Sequence, residues 1–214
     1  MNHIAKHILA AAVFTGLLHA APGAAVAQER GGEYTDTSTG LRFPDKLSRL
    51  RYERVMDFGN SELGYCVIYR EPEALGQICV YDLGYKDVPP GVDSAAFKAA
   101  LKAAEDGMLA SISQPPYQHA ELFANGTPSI GGGGKMAKAE ARFFSSELPV
   151  EGQAPIRNTH LILMTSGLGK FVKLIYTMRN AQSPDFAQET KQIVEDFVRF
   201  NGPLMEKFLV ETKE

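Results

Sequence analysis

The chain is poor in the residues that most often carry chemistry. It has two cysteines, no tryptophan and five histidines. Two cysteines are too few for a disulfide-dense mini-domain or for a cysteine-based metal cluster. Three of the histidines, His3, His7 and His19, fall within the first 27 residues, which leaves His119 and His160 for the rest of the chain. Beyond residue 18 no apolar run approaches the roughly 18 residues that a bilayer-crossing helix requires. Clustered basic residues are also missing. The densest stretch, residues 46–54, has its charges interrupted by apolar and acidic side chains, so a phosphate backbone finds no footprint and nucleic acid is not an expected partner. The missing tryptophan excludes no activity.

What is present at the start is an export signal. Lys6 is the one full positive charge of residues 1–7, residues 8–18 form a short apolar run, and Ala25-Val26-Ala27 is a small-x-small cleavage signal. The run is too short for a retained anchor, and Pro22 and Gly23 follow it. The expectation is a signal peptide over residues 1–27, cleavage before Gln28, and a soluble periplasmic or secreted product. No cysteine stands after the run to accept a lipid. Removal of residues 1–27 takes away one of the 22 basic residues and no acid, leaving 21 against 25 acidic side chains. That balance and length suit a single domain. An even cysteine count fits an oxidising compartment.

Residues 28–40 are polar, include Gly31-Gly32 and lack apolar periodicity, which predicts a flexible lead-in before one domain over residues 41–214. A strand is expected over 47–58. Residues 63–70 and 77–85 are rich in β-branched and aromatic side chains and flank Pro72 and Gly76, the composition of a hairpin. With a loop at 71–74, Arg70 pairs with Leu75, Ile68 with Gln77, and Cys66 faces Cys79. That register predicts a disulfide. Both faces of the hairpin are apolar, which predicts strands covered on two sides.

Asp93 or Ser94 is expected to cap a helix whose stripe is Phe97, Leu101, Ala104, Met108, Leu109 and Ile112, stopped by Pro115-Pro116. Strands follow at 117–125 and 135–145, separated by a glycine-rich loop at 126–134. In the second of these Ala137, Ala139, Ala141 and Phe143 alternate with Lys138, Glu140 and Arg142. A second hairpin is expected at 159–166 and 170–179 around Gly167-Leu168-Gly169. Ser183-Pro184 then starts a helix with Phe186, Thr190, Ile193, Phe197 and Phe200 inward, ended by Asn201-Gly202-Pro203. Residues 204–214 suit one or two further amphipathic turns. The order predicts an α+β domain, an antiparallel sheet of six to seven strands with two long helices packed on it as an α/β/α sandwich.

Residues 40–200 resemble the PsbP and DcrB kind of α/β/α sandwich, through Gly40-Leu41-Arg42-Phe43-Pro44 at the start and the hairpin and helix of residues 171–200 at the end. The stretch Val80-Tyr81-Asp82-Leu83-Gly84 with Pro89-Pro90-Gly91 is similar to uncharacterised secreted proteobacterial proteins. The likeness implies export and a fold, and no activity.

The chemical candidates each have a plainer explanation beside them. Gly131 to Gly134 before Lys135 lacks a glycine at Ser129 and a hydroxyl at Met136, so it fails as a phosphate loop, and no nucleotide or other cofactor is expected. His119 and His160 have no partner spacing for a metal. Thr165-Ser166-Gly167 lacks the glycine two residues before the serine and reads as a turn. Glu71 and Glu73 share a loop and Asp82 ends a strand; such acids could meet in space as a glycosidase pair, with chance surface acids as the plainer reading. Tyr65, Tyr69, Tyr81 and Tyr85 form the candidate binding surface, with core packing as the plainer reading. The sequence thus predicts a non-catalytic envelope binding or accessory domain, with an envelope protein or small ligand as partner. The alternative is a hydrolase whose residues assemble only in three dimensions.

Overall fold

The computed structural model describes residues 32–132, 135–180 and 183–208. The expected signal peptide and the chain end at 209–214 lie outside them. In order the elements are β1 (Tyr34–Thr35), β2 (Arg42–Phe43), β3 (Lys46–Leu47), β4 (Leu50–Asp57), β5 (Tyr65–Glu71), β6 (Ala74–Tyr81), α1 (Ala95–Ile112) and β7 (Gln118–Gly126). There follow β8 (Ser129–Gly132), β9 (Lys135–Lys138), β10 (Glu140–Leu148), β11 (Ile156–Gly167), β12 (Lys170–Arg179), α2 (Ser183–Phe200) and a 3-10 helix (Gly202–Phe208). The main sheet is antiparallel and has eight strands in the order β3-β4-β5-β6-β12-β11-β10-β7. The eighth strand arises because residues 47–58 are a tight hairpin rather than one strand. Lys46 pairs with Arg51 and Leu47 with Leu50, around Ser48 at a left-handed φ of 53°.

Each face of the sheet carries one helix, as strands apolar on both sides require. On one face Phe97, Leu101, Met108 and Ile112 of α1 pack on Cys66, Ile68, Phe144, Ile162 and Ile175. On the other, Phe186, Ile193 and Val198 of α2 pack on Val67, Tyr69, Ile78, Leu161 and Leu174. Ser94 caps α1 by accepting the Phe97 N–H at 3.1 Å. Ala137, Ala139 and Ala141 are buried on the α2 face. Arg142 on the opposite face is not simply solvated, because it pairs with Glu105 of α1 at 3.2 Å.

The first hairpin has the register expected from the sequence: Arg70 opposite Leu75, Ile68 opposite Gln77, and Cys66 opposite Cys79. The two sulfurs are bonded at 2.03 Å, and the pair is buried. The link closes a loop of about 14 residues, worth about 2 to 3 kcal/mol of unfolded-chain entropy. The double change Cys66→Ser, Cys79→Ser is expected to leave the domain folded with a lower melting temperature, by about 2 to 4 °C per kcal/mol. Calorimetry of the two proteins checks this; equal melting temperatures would remove the disulfide as a source of stability.

Order also begins earlier than composition indicates. β1 pairs with β2, Tyr34 opposite Phe43, so pairing starts inside the stretch expected as a flexible lead-in. The hydroxyl-rich residues there serve Asp36. Its buried carboxylate accepts from the Ser38 N–H and hydroxyl, the Thr39 hydroxyl and the Tyr65 hydroxyl at 2.6–3.0 Å. Those bonds outweigh burial and hold the Asp36 carboxyl below its ordinary range. At the other end of the domain Asn201 ties α2 to β2: its side chain accepts the Arg42 N–H at 2.8 Å and donates to the Arg42 carbonyl at 2.9 Å.

Candidate functional site

The strand pairing of β6, β12 and β11 brings polar residues from distant parts of the sequence to one end of the α1 face. Gln77 lies opposite Ile175, and His160 lies opposite Thr177. Together with Asn158 they lie under the C-terminal end of α1 and beside the turn of the first hairpin, and they line a cavity of about 350 Å³. Leu75, Met108, Ile112 and Ile175 form its apolar wall, and Arg70, Glu71, Glu73 and Arg179 stand at its mouth. Its size and mixed lining are those of a small-molecule pocket.

Two buried amides stand on this lining. Gln77 is 5% exposed and Asn158 is 3% exposed. The Oε1 of Gln77 accepts no hydrogen bond among the described residues. A buried polar atom left unpaired costs about 1 to 3 kcal/mol, and this one belongs to a residue of the cavity wall.

His160 is also buried here. Its Nε2 lies 2.9 Å from the Ser146 hydroxyl and its Nδ1 lies 3.0 Å from the Thr177 hydroxyl. Burial pushes its pKa down to about 4, so the imidazole is neutral at pH 7 and the two rotatable hydroxyls match whichever tautomer it adopts. The Ser146–His160 pair resembles two members of a hydrolytic triad. The third position holds a threonine hydroxyl in place of a carboxylate, Ser146 is fully buried, and an imidazole with so low a pKa is a weak base.

The other sequence candidates are dispersed. His119 is exposed on edge strand β7, with a left-handed φ of 53°. The tyrosines do not form one surface. Tyr65 and Tyr69 belong to the α2-face core, whereas Tyr81 and Tyr85 belong to the α1-face core. Strand alternation separates them, and Tyr69 and Tyr81 are buried; burial raises the phenol pKa of both. Ser166 is fully buried in β11, its hydroxyl 2.6 Å from the Pro89 and Gly91 carbonyls, where it holds the loop before α1. Asp82 pairs with Lys170. Gly131 and Gly132 end β8 and Lys135 starts β9, so that stretch leads into a strand rather than a phosphate-binding helix; Gly133 and Gly134 lie outside the described residues. Among those residues no three His, Cys, Asp or Glu side chains converge on a metal position.

Buried Lys173 lies on the same sheet face as the cavity residues, with its ammonium 5.0 Å from the centre of the Tyr81 ring. Burial lowers its pKa to about 8. It does not line the cavity. The sequence signal that would have found the cavity is Gln77, a single polar residue inside a run otherwise apolar on both faces; His160 ends the polar stretch 157–160 and stands out less.

The architecture is an α/β/α sandwich with a polar cavity at one end of its sheet. No family model matches the chain, and no curated protein does. Among solved structures it is similar to the solution structure of cyanobacterial PsbP (CyanoP) from Synechocystis sp. PCC 6803, with 16% sequence identity and a TM-score of 0.40 over 86% of this chain and 96% of that one. Among the described residues no helix is long and apolar enough to cross a membrane.

Proposed function

We propose that this protein is an exported, non-catalytic binding domain that holds a small polar ligand in the cavity between α1 and the turn of the first hairpin. The observation that carries the reading is the pair of buried amides, Gln77 and Asn158, on the wall of a 350 Å³ cavity, with the Gln77 Oε1 unpaired. Export is supported by the cleavable-signal pattern of residues 1–27 and by the Cys66–Cys79 disulfide, which suits an oxidising compartment. A binding role is favoured over hydrolysis by the chemistry of His160, which has hydroxyl partners on both ring nitrogens and a pKa about 4.

The test is a thermal-shift panel of soluble sugars, carboxylates, amines and amino acids. It is run on the wild type and on two cavity-filling variants, Ser111→Trp and Leu75→Phe, each first shown to be folded by circular dichroism. At least one compound is expected to raise the wild-type melting temperature and to leave both variants unmoved, since a ligand stabilises only the state that binds it. No response from the wild type, or equal responses from wild type and variants, would overturn the reading.

A further inference from the structure

The cavity has two electrostatic poles, and their arrangement defines a ligand class. At the first pole Arg70 and Arg179 reach the mouth from neighbouring parts of the sheet. Arg70 is committed to Glu53, with Nε to Oε2 at 2.7 Å. The Arg179 guanidinium makes no hydrogen bond or ion pair among the described residues, although its backbone N–H donates to the Glu73 carbonyl at 2.9 Å. It is an exposed fork with its donors available for a carboxylate.

The second pole is negative. Met108, Ser111 and Ile112 line the cavity from the last turns of α1, whose C-terminal carbonyls carry the negative end of the helix dipole. No basic side chain stands in that last turn to balance it. Glu73 adds an exposed carboxylate from the hairpin turn. The Glu71 carboxylate turns instead toward the α2 face, where Arg49 lies at 3.9 Å and also pairs with Glu189 of α2, whereas the Glu73 carboxylate has no ion-pair partner among the described residues. Asn158 and Gln77 line the same cavity, and the Oε1 of Gln77 is left unpaired among the described residues.

We infer that the cavity takes a small amphoteric molecule, an α-amino acid or a dipeptide, with its carboxylate on Arg179 and its ammonium toward Glu73 and the C-terminal end of α1. This deepens the binding-domain reading and depends on it. A plain carboxylic acid would leave the negative pole unanswered, and a plain amine would leave Arg179 unanswered. A sugar would satisfy the amides and neither pole. Apolar Leu75, Met108 and Ile175 accommodate a short aliphatic side chain.

The experiment is isothermal titration of the protein from Gln28 onward with L-alanine, L-glutamine and glycylalanine, and with N-acetyl-L-alanine, L-alanine methyl ester, propionate and glucose. At least one of the three zwitterions is expected to bind, and removal of either charge, as in the acetylated and esterified forms, is expected to weaken binding at least about tenfold. Arg179→Gln, an exposed position, should weaken the zwitterion by a similar factor and leave the methyl ester unchanged. Equal binding of the acetylated and free forms, or an unaffected Arg179→Gln variant, overturns the amphoteric assignment. If propionate or glucose binds instead and Ser111→Trp abolishes that binding, the cavity stands as a site and this assignment falls. If none of the seven compounds binds, or if binding survives in both Ser111→Trp and Leu75→Phe, the assignment falls together with the cavity reading.

Discussion

Gly64→Ala is expected to cost more than about 4 kcal/mol, whereas Gly59→Ala in the same loop costs about 1 kcal/mol. The two glycines have nearly the same left-handed backbone, φ 64° at Gly59 and φ 63° at Gly64. Their surroundings differ. A Cβ on Gly59 would meet nothing within 4 Å, whereas one on Gly64 would lie 1.9 Å from the Val80 carbonyl oxygen and 2.9 Å from its carbon. Those are backbone atoms of β6, which a rotamer change cannot move. Relief requires β5 to draw away from β6 at the end that carries Cys66. The shared conformational cost cancels between the two variants, so their difference isolates the close approach of the strands. Urea unfolding of both proteins checks this. A Gly64→Ala protein that is insoluble while Gly59→Ala folds agrees with the account; equal destabilisation contradicts it.

Acid is expected to weaken the fold in a window set by His160. Its folded pKa, about 4, lies below the unfolded value of about 6.5, so between the two the unfolded chain binds the proton more readily. Stability from this residue is therefore complete above pH 6.5 and is lost as pH falls toward 4. The slope is about 1.4 kcal/mol per pH unit, to a total of about 3 kcal/mol. Asp36, whose pKa is lowered, adds a loss only at and below the ordinary carboxylate range. The charged groups at the cavity mouth are Arg70, Arg179, Glu71 and Glu73, with the Tyr117 phenol beside them. Urea midpoints at half-unit steps from pH 4.5 to 7.5 should trace the loss, and His160→Gln should flatten it even at lower overall stability. A wild-type profile flat across that range would mean that the imidazole is not held neutral by burial.

The parts of the fold that could be read from the sequence are those governed by local pattern. Cys66 and Cys79 could be aligned because a loop at 71–74 fixes the register of every pair in the hairpin, and a slip by one residue would place them on opposite faces. The second hairpin was equally plain, since Leu168 and Gly169 occupy a two-residue turn between Gly167 and Lys170. The misread parts depend on distant partners. Nothing near Ser48 marks a turn; its N–H is held by the Asp196 carboxylate at 2.7 Å, from α2. Residues 34–39 look disordered by composition, yet Tyr65 from β5 helps to complete the Asp36 cluster. The cavity escaped for the same reason. Gln77, Asn158, His160 and Thr177 come from three strands, and only the strand order sets them side by side. The four tyrosines lie close in sequence, but strand alternation sends Tyr65 and Tyr69 to one face of the sheet and Tyr81 to the other, so they make no common surface.

The most direct test of the account is nuclear magnetic resonance of the side-chain amides, with the three zwitterions, L-alanine, L-glutamine and glycylalanine, added together to the protein from Gln28 onward. The account predicts that the amide signals of Gln77 and Asn158 move in a saturable way, while that of Asn201, locked to the Arg42 backbone on the other side of the sheet, stays in place. Signals of Gln77 and Asn158 that do not move, or shifts confined to amides outside the cavity, would contradict it.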